Sequence, residues 1–351
     1  MYKKIFMGIA AAAALTLVSC SSDDLNSLSD NSSKNEAISF DGYWGRSAVS
    51  VNGSRGSVID KAEDLQKVTE GFGVFGNYKE ADGLEFGSNW FNNVPVTYSS
   101  KDAKWTYSPV QYWLPQGHID FLAYAPYDSK YDTKVTKDNQ KLEFTVDSDI
   151  KKQKDLLWAN SENQKKTNNP VTFNFNHALA KIGYTVKTNV VGTAATITLD
   201  KITLAGSHDG TSKTAFYTSG TIDLSKANGA SDLWINQNGK QNFTWFTGSQ
   251  PLTSTSVPNS KTDYLFVIPQ NFSTGTDELY VIVDYTINYN TGVQSTMKNT
   301  VYQKLGQEFK QGKAYTINLT IGLTPIEFDA DVTPWTDADN TNTDITIDSW
   351  N

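Results

Sequence analysis

From Leu279 to Tyr289 every second residue is apolar: Leu279, Val281, Val283, Tyr285, Ile287 and Tyr289. Side chains of an extended strand alternate between two faces, so a period of two puts all six on one buried face. Tyr315, Ile317, Leu319 and Ile321 repeat the pattern. Shorter runs predict strands over 72–78, 94–98, 119–124, 142–146, 171–175, 182–186, 197–204, 243–246, 264–268 and 326–332. Turn pairs punctuate them: Asn52-Gly53, Asp82-Gly83, Asp209-Gly210, Asn228-Gly229 and Asn238-Gly239. Helical periodicity is confined to a short helix within 60–70 and one turn at 155–160. Many short strands without alternating helices predict an all-β chain of antiparallel β-sandwiches, not a parallel sheet. The polar, Lys/Asn-rich stretch 153–170 reads as a surface loop. Strands are similar in number on either side of a boundary near residue 177, which gives an N-terminal domain over 38–176 and a C-terminal domain over 177–351.

The first residues have another character. Lys3 and Lys4 precede an uncharged, Ala-rich run from Ile5 to Val18. This run is shorter than the ~20 residues of a spanning helix and reads as a secretory signal. It ends in Leu17-Val18-Ser19-Cys20, and Cys20 is the only cysteine of the chain. That ending resembles a bacterial lipobox. The resemblance implies a lipoprotein signal peptide over 1–19, lipidation at Cys20 and an outer-membrane lipid anchor. Two or three acyl chains anchor stably where one is marginal. Residues 20–37 are too polar to form a core and read as a flexible tether. Asp23-Asp24 within them resembles the signal that exports Bacteroidetes lipoproteins to the cell surface.

The composition narrows the chemistry. A formal net charge of −8 argues against nucleic acid, which needs clustered Lys and Arg. One Cys and three His exclude a disulfide scaffold and a multi-cysteine zinc site. His118, His177 and His208 are scattered, with no Ser or Cys partner to make a triad, and His177 reads as a structural hydrogen-bonding residue. Asp337, Asp339, Asn340, Asn342 and Asp344 have the composition of a calcium loop. They lack the glycine and the final Glu at the required spacing, so they read as a solvated linker. No enzyme activity, metal or cofactor is expected.

An ordered set of short stretches points to a family. These are Ile38-Ser39-Phe40, Gly71-Phe72-Gly73-Val74-Phe75-Gly76, Trp105-Thr106-Tyr107, Tyr112-Trp113 and Phe121-Leu122-Ala123-Tyr124-Ala125-Pro126. They continue with Asp155-Leu156-Leu157-Trp158-Ala159, Phe175-Asn176-His177-Ala178-Leu179-Ala180-Lys181-Ile182, Tyr315-Thr316-Ile317-Asn318-Leu319 and Val332-Thr333-Pro334-Trp335. Together with the lipobox, the set resembles the fimbrillin family, the subunits of type V pili in Bacteroidetes. The resemblance implies two transthyretin-like β-sandwich domains in tandem and a structural, adhesive role at the cell surface. It also implies a maturation route. A strand near the mature N-terminus fills its own sandwich, a trypsin-like protease cuts after an Arg just beyond it, and another pilus subunit then donates a strand to the vacated groove. Here the displaced strand falls within 37–51, with Ile38, Phe40, Tyr43, Val49 and Val51. The cut falls at Arg55, whose flanks are turn-like, with Arg46 as the alternative. The donor strand is the tail holding Ile345, Ile347 and Trp350.

A second reading is a non-polymerising surface lipoprotein that binds glycans. It rests on Trp90, Trp105, Trp113, Trp158, Trp234, Trp245 and Trp335, since exposed aromatic rings stack on sugars, although aromatics are also core material in sandwiches. A third is a tip or anchor subunit of the same pilus.

Overall fold

The computed structural model describes residues 36–43, 59, 62–79, 89–132, 134–136, 138–190, 192–227, 230–260, 263–290, 295–323, 327–334 and 344–346. In chain order the first elements are β1 (Phe40–Tyr43), the helix α1 (Ala62–Gln66), β2 (Phe72–Lys79), β3 (Asn89–Ser99), β4 (Lys104–Thr106), β5 (His118–Ala125) and β6 (Lys141–Thr145). Next come β7 (Leu157–Gln164), β8 (Val171–Asn174), β9 (Asn176–His177), β10 (Ala180–Thr188), β11 (Ala195–Ala205), β12 (Ser219–Asp223), β13 (Trp234–Asn238) and β14 (Phe243–Pro251). The last are β15 (Val257–Pro258), β16 (Leu265–Val267), β17 (Gln270–Asn271), β18 (Tyr280–Tyr289), β19 (Ser295–Lys304), β20 (Glu308–Phe309), β21 (Lys313–Ile321), β22 (Glu327–Pro334) and β23 (Asp344–Thr346). The fold is all-β, as the alternation predicts. No helix among the described residues is long and apolar enough to cross a membrane.

Most ladders are antiparallel. One sheet runs β4-β3-β2-β5-β7-β9, a second β14-β11-β18-β19 and a third β13-β12-β6. A fourth contains β15-β10-β21-β22-β23, with β16 also on β10. Among the described residues two pairings are parallel and join segments distant in sequence: β1 with β8, and β10 with β21. Parallel neighbours need a long crossover, so turn signals cannot reveal them.

Residues 155–160, expected as a helical turn, are instead extended, and β7 begins at Leu157. The reason lies in burial. Leu156 and Trp158 join one hydrophobic cluster, while Leu157 and Ala159 join another. A strand buried on both faces shows a continuous apolar run, which periodicity alone cannot separate from a helix. Its neighbours share this property. Val74, Phe121 and Ala123 face the smaller cluster, whereas Phe75, Leu122 and Tyr124 face the larger one with Ile182, Leu199 and Ile317. The β2-β5-β7 layer is therefore covered on both sides. β6, which precedes residue 177, pairs with β12, which follows it.

Gly71 immediately precedes β2 at φ +66°, and a Cβ there would overlap the Val96 carbonyl. Only glycine fits so close to β3 in that conformation. The helix expected within 60–70 is present as the single turn α1, which buries Leu65.

Candidate functional site

The smaller cluster is closed by the chain's own N-terminal segment. The sheet β4-β3-β2-β5-β7-β9 supplies Phe72, Val74, Phe91, Val96, Trp105 and Phe121. Opposite them lie Ile38 and Phe40 from the segment around β1, and Val171, Phe173 and Phe175 from β8 and its end. Ile38 is 1% exposed and Phe40 is 4% exposed.

Phe40 holds a central place. Its ring centroid lies 5.3 Å from Phe121, 5.4 Å from Phe91, 5.7 Å from Phe173 and 5.3 Å from Tyr107. Two of the contacts, to Phe91 and Phe121, are edge-to-face, a geometry that adds to plain area burial. Gly42 is also buried, and a Cβ on it would meet Leu65 Cδ2 at 3.3 Å.

Main-chain bonds hold the same segment. The parallel register runs Phe40↔Val171, Asp41↔Thr172, Gly42↔Phe173 and Tyr43↔Asn174. The Val171 amide donates to the Ser39 carbonyl at 2.8 Å. Before the strand, the Ile38 amide donates to Gln111 O at 2.8 Å, and the Trp113 amide donates to Glu36 O at 2.9 Å. The Tyr107 hydroxyl donates to Ile38 O at 2.8 Å. Burial raises the Tyr107 phenol above its ordinary pKa, opposed by its hydrogen bond with Gln111.

A second anchor stands further along the chain. The Ile59 amide donates to Asp155 Oδ2 at 3.2 Å, and Asp155 Oδ1 lies 3.1 Å from His177 Nδ1. Asp155 is fully buried and His177 nearly so. A buried carboxylate is costly unless bonded, and here one carboxylate ties three distant segments together. His177 thus has the structural role its sequence context predicts. Arg46 and Arg55 both fall between the Phe40 and Ile59 anchors in sequence.

Among the predicted site residues, the structure brings Ile38 and Phe40 together in one core. Cys20, Arg46, Val49, Val51, Arg55, Ile347 and Trp350 lie outside the described residues. Ile345 is in β23, paired with Ala330 of its own chain. Sequence reading gave no role to Gln111, Phe173, Asp155 or the Tyr107 hydroxyl. The alternation of Val171, Phe173 and Phe175 predicted a strand over 171–175 but not its place beside Ile38 and Phe40. The five tryptophans with described side chains, Trp105, Trp113, Trp158, Trp234 and Trp245, are all buried and offer no stacking platform for a sugar. Among the described residues, no group of three or more His, Cys, Asp or Glu is placed to hold a metal.

The fold resembles solved structures. A fimbrial protein from Bacteroides vulgatus superposes with a TM-score of 0.62 at 23% identity, over 86% of this chain and 100% of that one. Weaker matches are two candidate cell adhesion proteins. The one from Bacteroides uniformis has a TM-score of 0.46 at 17% identity, over 76% of this chain and 92% of that one. The one from Bacteroides ovatus has a TM-score of 0.49 at 16% identity, over 87% and 99%. No curated protein matches the chain. The sequence pattern that defines the fimbrillin-like family matches residues 61–335, most of the chain, and the protein belongs to that family.

Proposed function

We propose that this protein is a fimbrial subunit, made as a lipid-anchored precursor and assembled by strand exchange after a trypsin-like cut removes the segment containing β1. Family membership makes it a structural protein rather than an enzyme and supports association with other pilus subunits at the cell surface. Lipidation at Cys20, export to the outer membrane, cleavage at Arg55 and donation by the tail holding Ile345, Ile347 and Trp350 complete the reading. Residues 38–176 and 177–351 serve in it as two domains, the first carrying the groove and the second the donor tail.

One observation carries it: the Ile38 and Phe40 side chains are core residues, yet the segment bearing them contributes only the four-residue β1 and precedes both candidate cuts. Its departure would uncover Phe91, Phe121 and Phe173. Exposed apolar surface with a free strand edge is unstable in water and takes up an incoming strand. Main-chain bonds worth ~0.5–1.5 kcal/mol net each, plus apolar side chains in the vacated sites, would hold the donor. The family pattern begins at residue 61, beyond both candidate cuts, which is consistent with a mature chain that starts after them.

The test is brief trypsin treatment of the protein lacking residues 1–20, followed by unboiled gel electrophoresis. A ladder of polymers with a new N-terminus at Gly56 is expected, and Arg55→Ala should abolish it. Polymers that persist in Arg55→Ala would move the cut to Arg46. A discrete monomer after complete cleavage would overturn strand exchange.

A further inference from the structure

Away from the N-terminal groove, the outer face of the β13-β12-β6 sheet floors a cleft of about 420 Å³. The alternation of β6 sends Leu142 and Phe144 into the core and leaves Lys141, Glu143 and Thr145 outward. Thr221 of β12 lines the cleft beside them. The loop that follows β5 makes the wall, carrying Lys134 and Asn139.

The cleft is built before any ligand arrives. The Tyr131 hydroxyl donates to Glu143 O at 2.6 Å, and Val135 is buried, so the wall is fastened to the sheet and to the core. Thr136 and Asn139 exchange two main-chain hydrogen bonds, of 3.0 and 3.1 Å, closing the loop tip. On the opposite side, the β12–β13 register slips by one residue between Ser219↔Asn238 and Thr221↔Ile235. Asn236 sits in that bulge at φ +53° and lines the cleft. Bulges redirect side chains, and a residue held in the left-handed region often marks a functional position.

The lining defines the ligand. Lys130 is paired with Asp128 at 3.2 Å. Lys134 and Lys141 make no ion pair among the described residues, and Glu143 is the only carboxylate that lines the cleft with them. This is a basic recess on a chain of net charge −8. Its other groups are amides and hydroxyls, from Asn139, Asn236, Thr145 and Thr221. Tyr131 is buried, so the cleft offers no exposed aromatic or aliphatic anchor of the kind that protein partners fill. The volume lies within the range of small-molecule sites. Amides and hydroxyls suit a polyhydroxylated ligand, and free ammonium groups suit carboxylates.

We propose that this cleft binds an anionic saccharide, with Lys134 and Lys141 on its carboxylates and Asn139, Asn236 and Thr221 on its hydroxyls. The site is independent of strand exchange and would give a fimbrial subunit a contact with uronate-bearing polysaccharide. The test is calorimetric titration of the full-length chain, in detergent, with trigalacturonic acid. Saturable binding is expected, weakened about tenfold or more in the Lys134→Gln/Lys141→Gln variant, since charge-assisted hydrogen bonds are the stronger ones. Asn236→Gly, which keeps the left-handed backbone and removes the amide, should also weaken it, while Lys298→Gln on β19 should leave it unchanged. The fully methyl-esterified trimer should bind weakly. Absence of binding at millimolar trimer, equal binding by the double variant, or equal binding of a hepta-aspartate peptide would each overturn the proposal, the last by making the cleft a peptide site. Because these exposed side chains lie outside both cores, their replacement leaves the fold intact and the outcome readable.

Discussion

β1 and β19 are both edge strands, and they are attached in opposite ways. β19 has ten residues in unbroken antiparallel register with β18, from Tyr280↔Lys304 to Tyr289↔Ser295. Its side chains are exposed or half-exposed, with Met297 at 49% and Tyr302 at 54%. β1 has four residues in register, on one side only, yet Phe40 and the preceding Ile38 are buried. Main-chain pairing sets how long a strand is; side-chain burial sets what its departure exposes. Peeling away β19 would uncover little apolar surface. Removing β1 would open an aromatic core, at ~1.5–3 kcal/mol for each buried side chain. Attachment at β19 is spread over many main-chain bonds, whereas around β1 a few main-chain bonds are joined by the burial of two large side chains. Under the proposed strand exchange, a strand of the second kind stays held by its side chains after the cut until an incoming strand takes its place.

The largest effect should come from Phe40→Ala. Truncating a buried aromatic ring costs ~3–5 kcal/mol. Denaturant unfolding should report that loss, and β8 amides should exchange faster because the strand they pair with is no longer anchored. An unchanged midpoint would mean that main-chain bonds carry β1 as they carry β19, and the contrast would fail. Next is Asp155→Ala, which leaves the Ile59 amide and His177 without their shared acceptor, at ~2–3 kcal/mol. Its signature is local: the Ile59 amide should lose protection while β19 amides keep theirs.

The same contrast explains what the sequence made legible. Strands with one buried face, such as β18 and β21, show clean alternation because water lies on their other side. β19 went unforeseen: its run Ser295–Lys304 is largely polar, and pairing with β18, not its own pattern, makes it a strand. β7 was misread for the opposite reason, since burial on both faces erases alternation. Of the groove, Ile38 and Phe40 were legible from family resemblance. Phe173 and Tyr107 were not, because the parallel β1–β8 pairing joins residues 131 positions apart at Phe40↔Val171. The Asp155 anchor escaped notice because its partners, Ile59 and His177, are brought together only by the fold. The Lys134–Lys141 cleft was invisible for a related reason: the bulge at Asn236 leaves no mark in composition.

Tyr107→Phe sharpens the comparison on a smaller scale. It removes the bond to Ile38 O and keeps the ring against Phe40, for a loss of ~0.5–1.5 kcal/mol. It also has a pH signature. Burial raises the phenol pKa values of Tyr107 and Tyr315, and pushes Tyr184 up to about 12. The folded state therefore holds these protons more tightly than the unfolded chain. Stability is complete below the ordinary tyrosine value of ~10 and falls as pH rises through and above it. Thermal melts from pH 8 to 11 should show this fall, and Tyr107→Phe should make it shallower. A Tyr107→Phe variant with the wild-type alkaline slope would mean that burial does not hold the Tyr107 proton more tightly in the folded state than in the unfolded chain.

The smallest effect should be Met297→Ser. The side chain is half exposed on β19, and substitutions at such positions usually fall within ~0.5 kcal/mol. The Met297 main chain stays in register with Ile287, so its hydrogen bonds survive the change. A near-zero shift in the unfolding midpoint, set beside the large shift for Phe40→Ala, is the pairing the two-strand contrast demands. A loss above ~2 kcal/mol would show that β19 also depends on side-chain burial, as a covered strand would. Side-chain burial would then no longer distinguish how β1 and β19 are attached.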